Sequence, residues 1–193
     1  LFDLGGVFFD WDPNYFYENI FKNSDELEFF LKNICNDDWN IKQDEGRLIE
    51  DAENELVDIF PKYQKEIKMY YKNHHRMFRG LFYKSIEALN ILKKRNYECY
   101  VLSNWSAQTF RGMKEKYPFL KLFNGMIISG NEKMVKPNKE IYFLAIKRFN
   151  LIPKETVFID DKIKNINSAK SLHFNTIHLQ NPELIIEKIN NYL

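Results

Sequence analysis

The sequence is poor in cysteine, nearly balanced in charge and free of long apolar runs, and each shortage excludes something. Its two cysteines, Cys35 and Cys99, fall in different predicted elements without a partner motif. That rules against a disulfide scaffold and suits a reducing cytoplasm. Cys99 sits in an apolar strand and reads as a small core residue. Lysine and arginine number 28 against 27 acidic residues, a net charge of +1. So small an excess gives no electrostatic footprint for nucleic acid or a membrane surface. No apolar run approaches the ~18 residues that a membrane span needs. No signal-peptide pattern is present, and Leu1 falls in mid-strand, so residues before it are expected. The four histidines, His74, His75, His173 and His178, form no recognisable metal set. There is no internal repeat and no low-complexity linker.

What is present is a chain of 193 residues with 45% hydrophobic content. That is enough for one packed domain, or one domain carrying an inserted subdomain. From about Tyr83 onward, helix and strand patterns alternate. Lys84–Lys94 reads as a helix with Ile86, Leu89 and Leu92 along one face, and 98–102 as a strand. Ala107–Lys116 reads as a helix and 125–129 as a strand. Pro137 is expected to open a helix carrying Ile141, Leu144, Ala145 and Phe149 inward. A strand at 156–159, a helix at 163–172, a strand at 175–179 and a helix from Pro182 complete the pattern. Strands separated by single helices predict an α/β fold, a doubly wound parallel sheet with right-handed crossovers. The strand ending at Asp3 would be its first.

Residues from about Pro13 to Met77 carry no convincing strand. Helices are expected over 15–21, 24–34, 46–60 and 61–72, with Ser24 as a start and Asp25 and Glu26 in its first turn. The predicted organisation is therefore a helical insert over 13–79 within an α/β core made of 1–12 and 80–193. Gly80 is expected as the turn residue at the return. Aromatic residues crowd the insert (Tyr15, Phe16, Tyr17, Phe29, Phe30, Trp39, Tyr70 and Tyr71), which reads as the core of a small helical unit.

Four segments carry chemistry. In Phe2-Asp3-Leu4-Gly5-Gly6-Val7, Asp3 ends a strand, where open α/β sheets bind ligands, and the glycine pair lets backbone approach a ligand closely. An acid capping a turn is the plain reading. In Val101-Leu102-Ser103-Asn104-Trp105-Ser106, a hydroxyl and free backbone N–H groups follow a strand, which is either an anion site or a serine cap. In Lys136-Pro137-Asn138, a lysine at a helix start can bring positive charge to a phosphate, or be an ordinary solvated side chain. In Ile159-Asp160-Asp161, adjacent carboxylates after an apolar strand are costly unless a cation or donors compensate, and hard oxygens suit Mg²⁺. Asn165 lies one helical turn beyond Asp161.

The four segments in chain order resemble the haloacid dehalogenase-like hydrolase superfamily with a helical cap inserted after the first motif. The likeness spans essentially the whole chain. The phrases FDLGGV, LSNWS, KPN and IDD are most similar to the subgroup of bacterial sugar-phosphate (glucose-1-phosphate-type) phosphatases. The resemblance implies Asp3 as nucleophile, Ser103 and Asn104 as phosphate binders, and Lys136 as a catalytic and phosphate-binding lysine. It implies Mg²⁺ held by Asp3, the Gly5 backbone carbonyl, Asp160 and Asp161. A cap loop running from Trp39-Asn40 to Asp44-Glu45-Gly46-Arg47 would select the substrate, with Asp44, Glu45 and Arg47 as candidates. One position departs from the pattern. Most phosphatases of this superfamily place a second acid, the general acid and base, where this chain has Gly5. Such help is worth ~10²–10⁴ in rate. Asp10, Asp12, Asp44 and Glu45 are the candidates to replace it.

The resulting expectation is a cytoplasmic, Mg²⁺-dependent phosphatase of a small phosphorylated metabolite, a monomer or homodimer with no nucleic-acid or membrane partner. Two alternatives stand beside it. A 2-haloacid dehalogenase would use Asp3 on carbon and need no metal, so the Asp160–Asp161 pair counts against it. A catalytically weak binding module is favoured only by Gly5.

Overall fold

The structure is a computed structural model that describes residues 1–192. Six strands form among them: β1 (Phe9–Trp11), β2 (Phe78–Leu81), β3 (Tyr100–Ser103), β4 (Gly125–Ile128), β5 (Val157–Asp160) and β6 (Asn175–His178). β3 pairs with β4 and β5 with β6, both in parallel. Between the two pairs runs the extended N-terminal segment. The Phe2 N–H donates to the Tyr100 carbonyl (2.8 Å) and the Leu102 N–H to the Phe2 carbonyl (2.9 Å). On its other side the Asp3 N–H donates to Ile159 and the Ile159 N–H to Leu1, both at 2.9 Å. The sheet order is therefore β4, β3, N-terminal segment, β5, β6. The order reverses at the N-terminal segment, and such a switch point opens a crevice at the carboxyl ends of the strands. Asp3 stands at that crevice.

The strands read as short apolar runs because both faces of the sheet are covered. Successive side chains point to opposite faces. Phe2, Val101, Ile159 and Ile177 join one core with Leu89, Leu92, Ile185 and Ile189. Leu102, Ile127 and Phe158 join the other with Ile141, Tyr142, Ala145, Ile166 and Ala169. A third core belongs to the helical segment and holds Phe16, Tyr17, Phe30, Trp39, Leu56, Ile67 and Tyr70. Each large apolar side chain so buried contributes about 1.5–3 kcal/mol of transfer free energy. No helix among the described residues is long and apolar enough to cross a membrane. Cys35 and Cys99 are both buried and free.

Several elements differ from expectation for local reasons. The helix expected over 107–116 is divided into Ala107–Phe110 and Met113–Lys116. Gly112 between them has φ +82°, a left-handed conformation that breaks the helical ladder. Pro137 does not open its helix, which starts at Lys139 after Asn138. The helix from Ser24 ends at Phe29 and continues as a π-helical turn over Phe30–Ile34, with the Asn23 side chain capping its start. The expected cap loop is largely a helix, Asp37–Asp44, capped by the Asn36 side chain on the Trp39 N–H and followed by the turn at Gly46. Gly80 is not a turn residue. It lies in β2 opposite Asp10 of β1, an antiparallel pair through which the chain leaves the sheet and returns. Packing of Phe9 against Phe78 across this pair (centroids 5.7 Å apart) supplies the strand contact that the helical patterning hid.

Candidate active site

The turn after Asp3 is wound tightly on apolar residues. The Leu4 carbonyl accepts from the N–H groups of Phe8 (2.8 Å) and Phe9 (3.0 Å), and Leu4, Val7, Phe8 and Phe9 are fully buried. This buried plug fixes the direction of the Asp3 side chain. Asp3 Oδ1 accepts three bonds: from its neighbour's N–H at Leu4 (2.8 Å), from the Ser103 hydroxyl (2.7 Å) and from Lys136 Nζ (2.9 Å). None of the three falls on Oδ2. Ser103 ends β3 and lies 100 residues away in sequence.

Lys136 is fully buried and also contacts Asp160 Oδ2 at 2.7 Å. Burial works against its charge, but the Asp160 and Asp3 carboxylates outweigh it, and its pKa is raised above the ordinary lysine value. Its backbone is clamped as well. The Asn104 side chain accepts from the Lys136 N–H (2.8 Å) and donates to the Lys136 carbonyl (2.9 Å). Asn104 was expected to bind phosphate, yet both ends of its amide are engaged with Lys136.

Asp160 and Asp161 are neighbours with opposite surroundings. Asp160 accepts from Lys136, from the Lys162 N–H (2.8 Å) and from Asn165 Nδ2 on both oxygens (3.0 Å). Asn165 thus sits at this end of the helix as the spacing suggested. Asp161 Oδ1 is buried and has no hydrogen-bond partner among the described residues. Burial, reinforced by the Asp3 and Asp160 carboxylates, pushes Asp161 up to about 7. The His178 ring donates from Nε2 to its backbone carbonyl (2.8 Å). Gly6 makes room for it: a Cβ there would meet Asp161 Cγ at 2.5 Å, and Gly6 has φ +67°. Asp3, Asp160 and Asp161 each bring a carboxylate oxygen within 4.8 Å of the others. Three hard oxygens with one acceptor unsatisfied form a donor set that fits a small divalent cation.

At Gly5 the neighbourhood is open, since a Cβ there would meet nothing within 4 Å. Gly5 lines a cavity of about 70 Å³ with Trp11, Asn40, Asp44, His74, Asn104 and Trp105. Trp11 Nε1 is buried without a partner among the described residues. Burial pushes His74 down to about 4, so the ring facing this cavity is neutral near pH 7. Of the cap candidates only Asp44 lines the cavity. Arg47 turns to Glu55 (2.9 Å), and Glu45 is exposed. Asp10 binds the Tyr15 hydroxyl (2.7 Å), and Asp12 caps Asn14 (2.8 Å). Trp11, His74 and Trp105 were missed in sequence. Trp105 lay inside a motif already marked, but nothing local joined the other two to it.

The chain is 28% identical to the sesquiterpene phosphatase astK of Aspergillus oryzae over 181 residues, covering 93% of this chain and 88% of that protein. It is 22% identical over 183 residues to the phosphorylated carbohydrates phosphatase of Thermotoga maritima, covering 92% and 82%. Its fold matches a haloacid dehalogenase family enzyme of Bacteroides thetaiotaomicron solved with magnesium and inorganic phosphate. The TM-score is 0.67 at 24% identity, over 91% of this chain and 90% of that one. Residues 25–179 match the family described as haloacid dehalogenase-like hydrolase, and the chain, a hydrolase with phosphatases among its relatives, belongs to that family.

Proposed function

We propose that this protein is a magnesium-dependent phosphatase of a small phosphorylated metabolite, a sugar phosphate first, working through an aspartyl-phosphate on Asp3. The observation that carries this reading is the Asp3 carboxylate, held on one oxygen by Ser103 and Lys136 beside an Asp161 oxygen with no partner among the described residues. Asp3, Asp160, Asp161 and the Gly5 carbonyl would hold the cation, which when bound offsets the charge between a carboxylate nucleophile and a phosphoryl group. Lys136 and the Ser103 hydroxyl fix the Asp3 rotamer and face the phosphoryl oxygens. Asn104 serves by holding the Lys136 backbone. An Asp3 oxygen attacks phosphorus, the ester oxygen departs, and water then hydrolyses the acyl phosphate.

Residues 13–79 act as a cap over a core of 1–12 and 80–193. A cavity of about 70 Å³ with aromatic walls and the polar side chains of Asn40, Asp44, His74 and Asn104 suits a compact polyol better than a long apolar chain. The carbohydrate phosphatase among the relatives supports the same class. The test is phosphate release across sugar phosphates, nucleotides and a prenyl phosphate, with and without Mg²⁺. Release is expected for sugar phosphates, only with Mg²⁺, and not from the Asp3→Asn variant. Turnover retained by Asp3→Asn would sink the nucleophile assignment. Chelator-insensitive chloride release from a haloacid would favour the dehalogenase reading instead.

A further inference from the structure

Gly5 leaves the site without the side chain that would hand a proton to the leaving group. We propose that Asp44, reaching in from the helical segment, is the general acid and base of the phosphatase reaction proposed above, on which this inference rests. Four observations carry it.

The first is room. Apart from its chain neighbours, nothing lies within 4 Å of where a Gly5 Cβ would stand, and the cavity that Gly5 lines is lined by Asp44 as well. The second is anchorage. The Ser129 hydroxyl, at the end of β4, donates to the Asp44 carbonyl (2.5 Å) and accepts from the Trp105 N–H (2.9 Å). The helical segment is thereby pinned to the site loop at this residue. The third is orientation. Asn40 Nδ2 donates to Asp44 Oδ2 (3.3 Å), the Tyr71 hydroxyl donates to Asn40 Oδ1 (2.8 Å), and Gln43 Nε2 donates to the Tyr71 hydroxyl (3.1 Å). Asn40, Tyr71 and Gln43 are positioning residues that fix the carboxyl. The fourth is the lack of a competitor, because Asp10 and Asp12 are engaged with Tyr15 and Asn14 and Glu45 points to solvent.

Burial pushes the Asp44 carboxyl up to about 7, so near neutrality it carries a proton in a large share of molecules. A backbone hydrogen bond from Ser106 and the Lys162 charge oppose the shift, Asp3 and Asp37 reinforce it, and His74, which lines the same cavity, is neutral. The proton balance is simple. As the Asp3–phosphorus bond forms and the ester P–O bond breaks, the Asp44 proton passes to the departing oxygen. The Asp44 carboxylate then takes a proton from the water that attacks phosphorus, which restores the starting form.

The test compares two substrates on one preparation of Asp44→Asn, so that any misfolded fraction cancels. One is an alkyl phosphate, whose leaving alkoxide needs a proton. The other is a nitrophenyl phosphate, whose leaving phenolate does not. We expect the variant to lose about 10²–10³ in kcat/KM, which reports phosphoryl transfer to Asp3 and not the later hydrolysis common to both esters, on the alkyl ester and at least tenfold less on the aryl ester. Equal losses in kcat/KM on both esters, or an unchanged kcat/KM for the alkyl ester, would overturn the assignment. The phosphatase reading fails by a different result, since it requires Asp3→Asn to abolish turnover of both esters.

Discussion

The two sides of the site differ in how completely their polar atoms are matched. On the Lys136 side, Asp3 Oδ1, Ser103, Lys136, Asp160, Asn104 and Asn165 bond to one another in a closed, buried network. On the Gly5 side, Asp161 Oδ1 and Trp11 Nε1 lack partners among the described residues and Gly5 faces open space. A saturated buried network is rigid and ready before anything binds. Unmatched buried atoms are costly alone and are matched by a ligand. One side of the crevice is built by the chain itself, and the other is completed by what enters.

The sharpest way to break this contrast is to open the closed side. Lys136→Ala strands two buried carboxylates, and unfolding in urea should show a loss of about 3–5 kcal/mol along with loss of turnover. A loss below about 1 kcal/mol would mean that the network is not load-sharing. Next in size is the glycine pair. Gly6→Ala places a methyl group on Asp161 at a positive φ, and should cost about 1–2 kcal/mol and weaken Mg²⁺ binding measured by calorimetry. Gly5→Ala meets nothing and should cost about half as much or less. Equal effects from the two would erase the difference between them.

The last expected effect is a pH dependence. The Asp44 carboxyl ordinarily titrates near 3.8 and is pushed up to about 7 in the fold. Between those values the folded chain holds a proton that the unfolded chain has released, so stability falls as pH rises through that window. Relative to the wild type, Asp44→Asn should therefore gain about 1–3 kcal/mol between pH 4 and 8, the lower end reflecting residual solvent at the carboxyl. Denaturant midpoints measured without metal check this. A wild type that instead gains on the variant with rising pH would mean that Asp44 is ionised in the fold.

Much of the site was legible because its markers are local. An apolar run ending in a polar residue marks a strand end whatever lies elsewhere in the chain. Asp3, Ser103, Asp160 and Asp161 were found that way, with Lys136 found from the proline beside it. The helix Asp37–Asp44 was legible in principle, since Asn36 followed by Asp37 and Asp38 is a helix start, but the expectation of a loop displaced it. The β1–β2 pair was not legible, because three or four residues hold it and their partners are nearly seventy positions apart.

By itself the sequence determined the α/β alternation, the helical insert, the strand ends that carry acid and hydroxyl, and the lysine beside Pro137. Periodicity and strand length are properties of neighbouring residues. Only the tertiary structure decided that Asp160 is the satisfied member of the acidic pair and Asp161 the unsatisfied one. It alone decided that Asn104 holds Lys136, and that Asp44 rather than Asp10, Asp12 or Glu45 faces the space beside Gly5. The first turns on Lys136, 24 positions from Asp160, and the other two on hydrogen bonds between groups 32 and 85 positions apart, and no local pattern encodes which distant partner a side chain will meet.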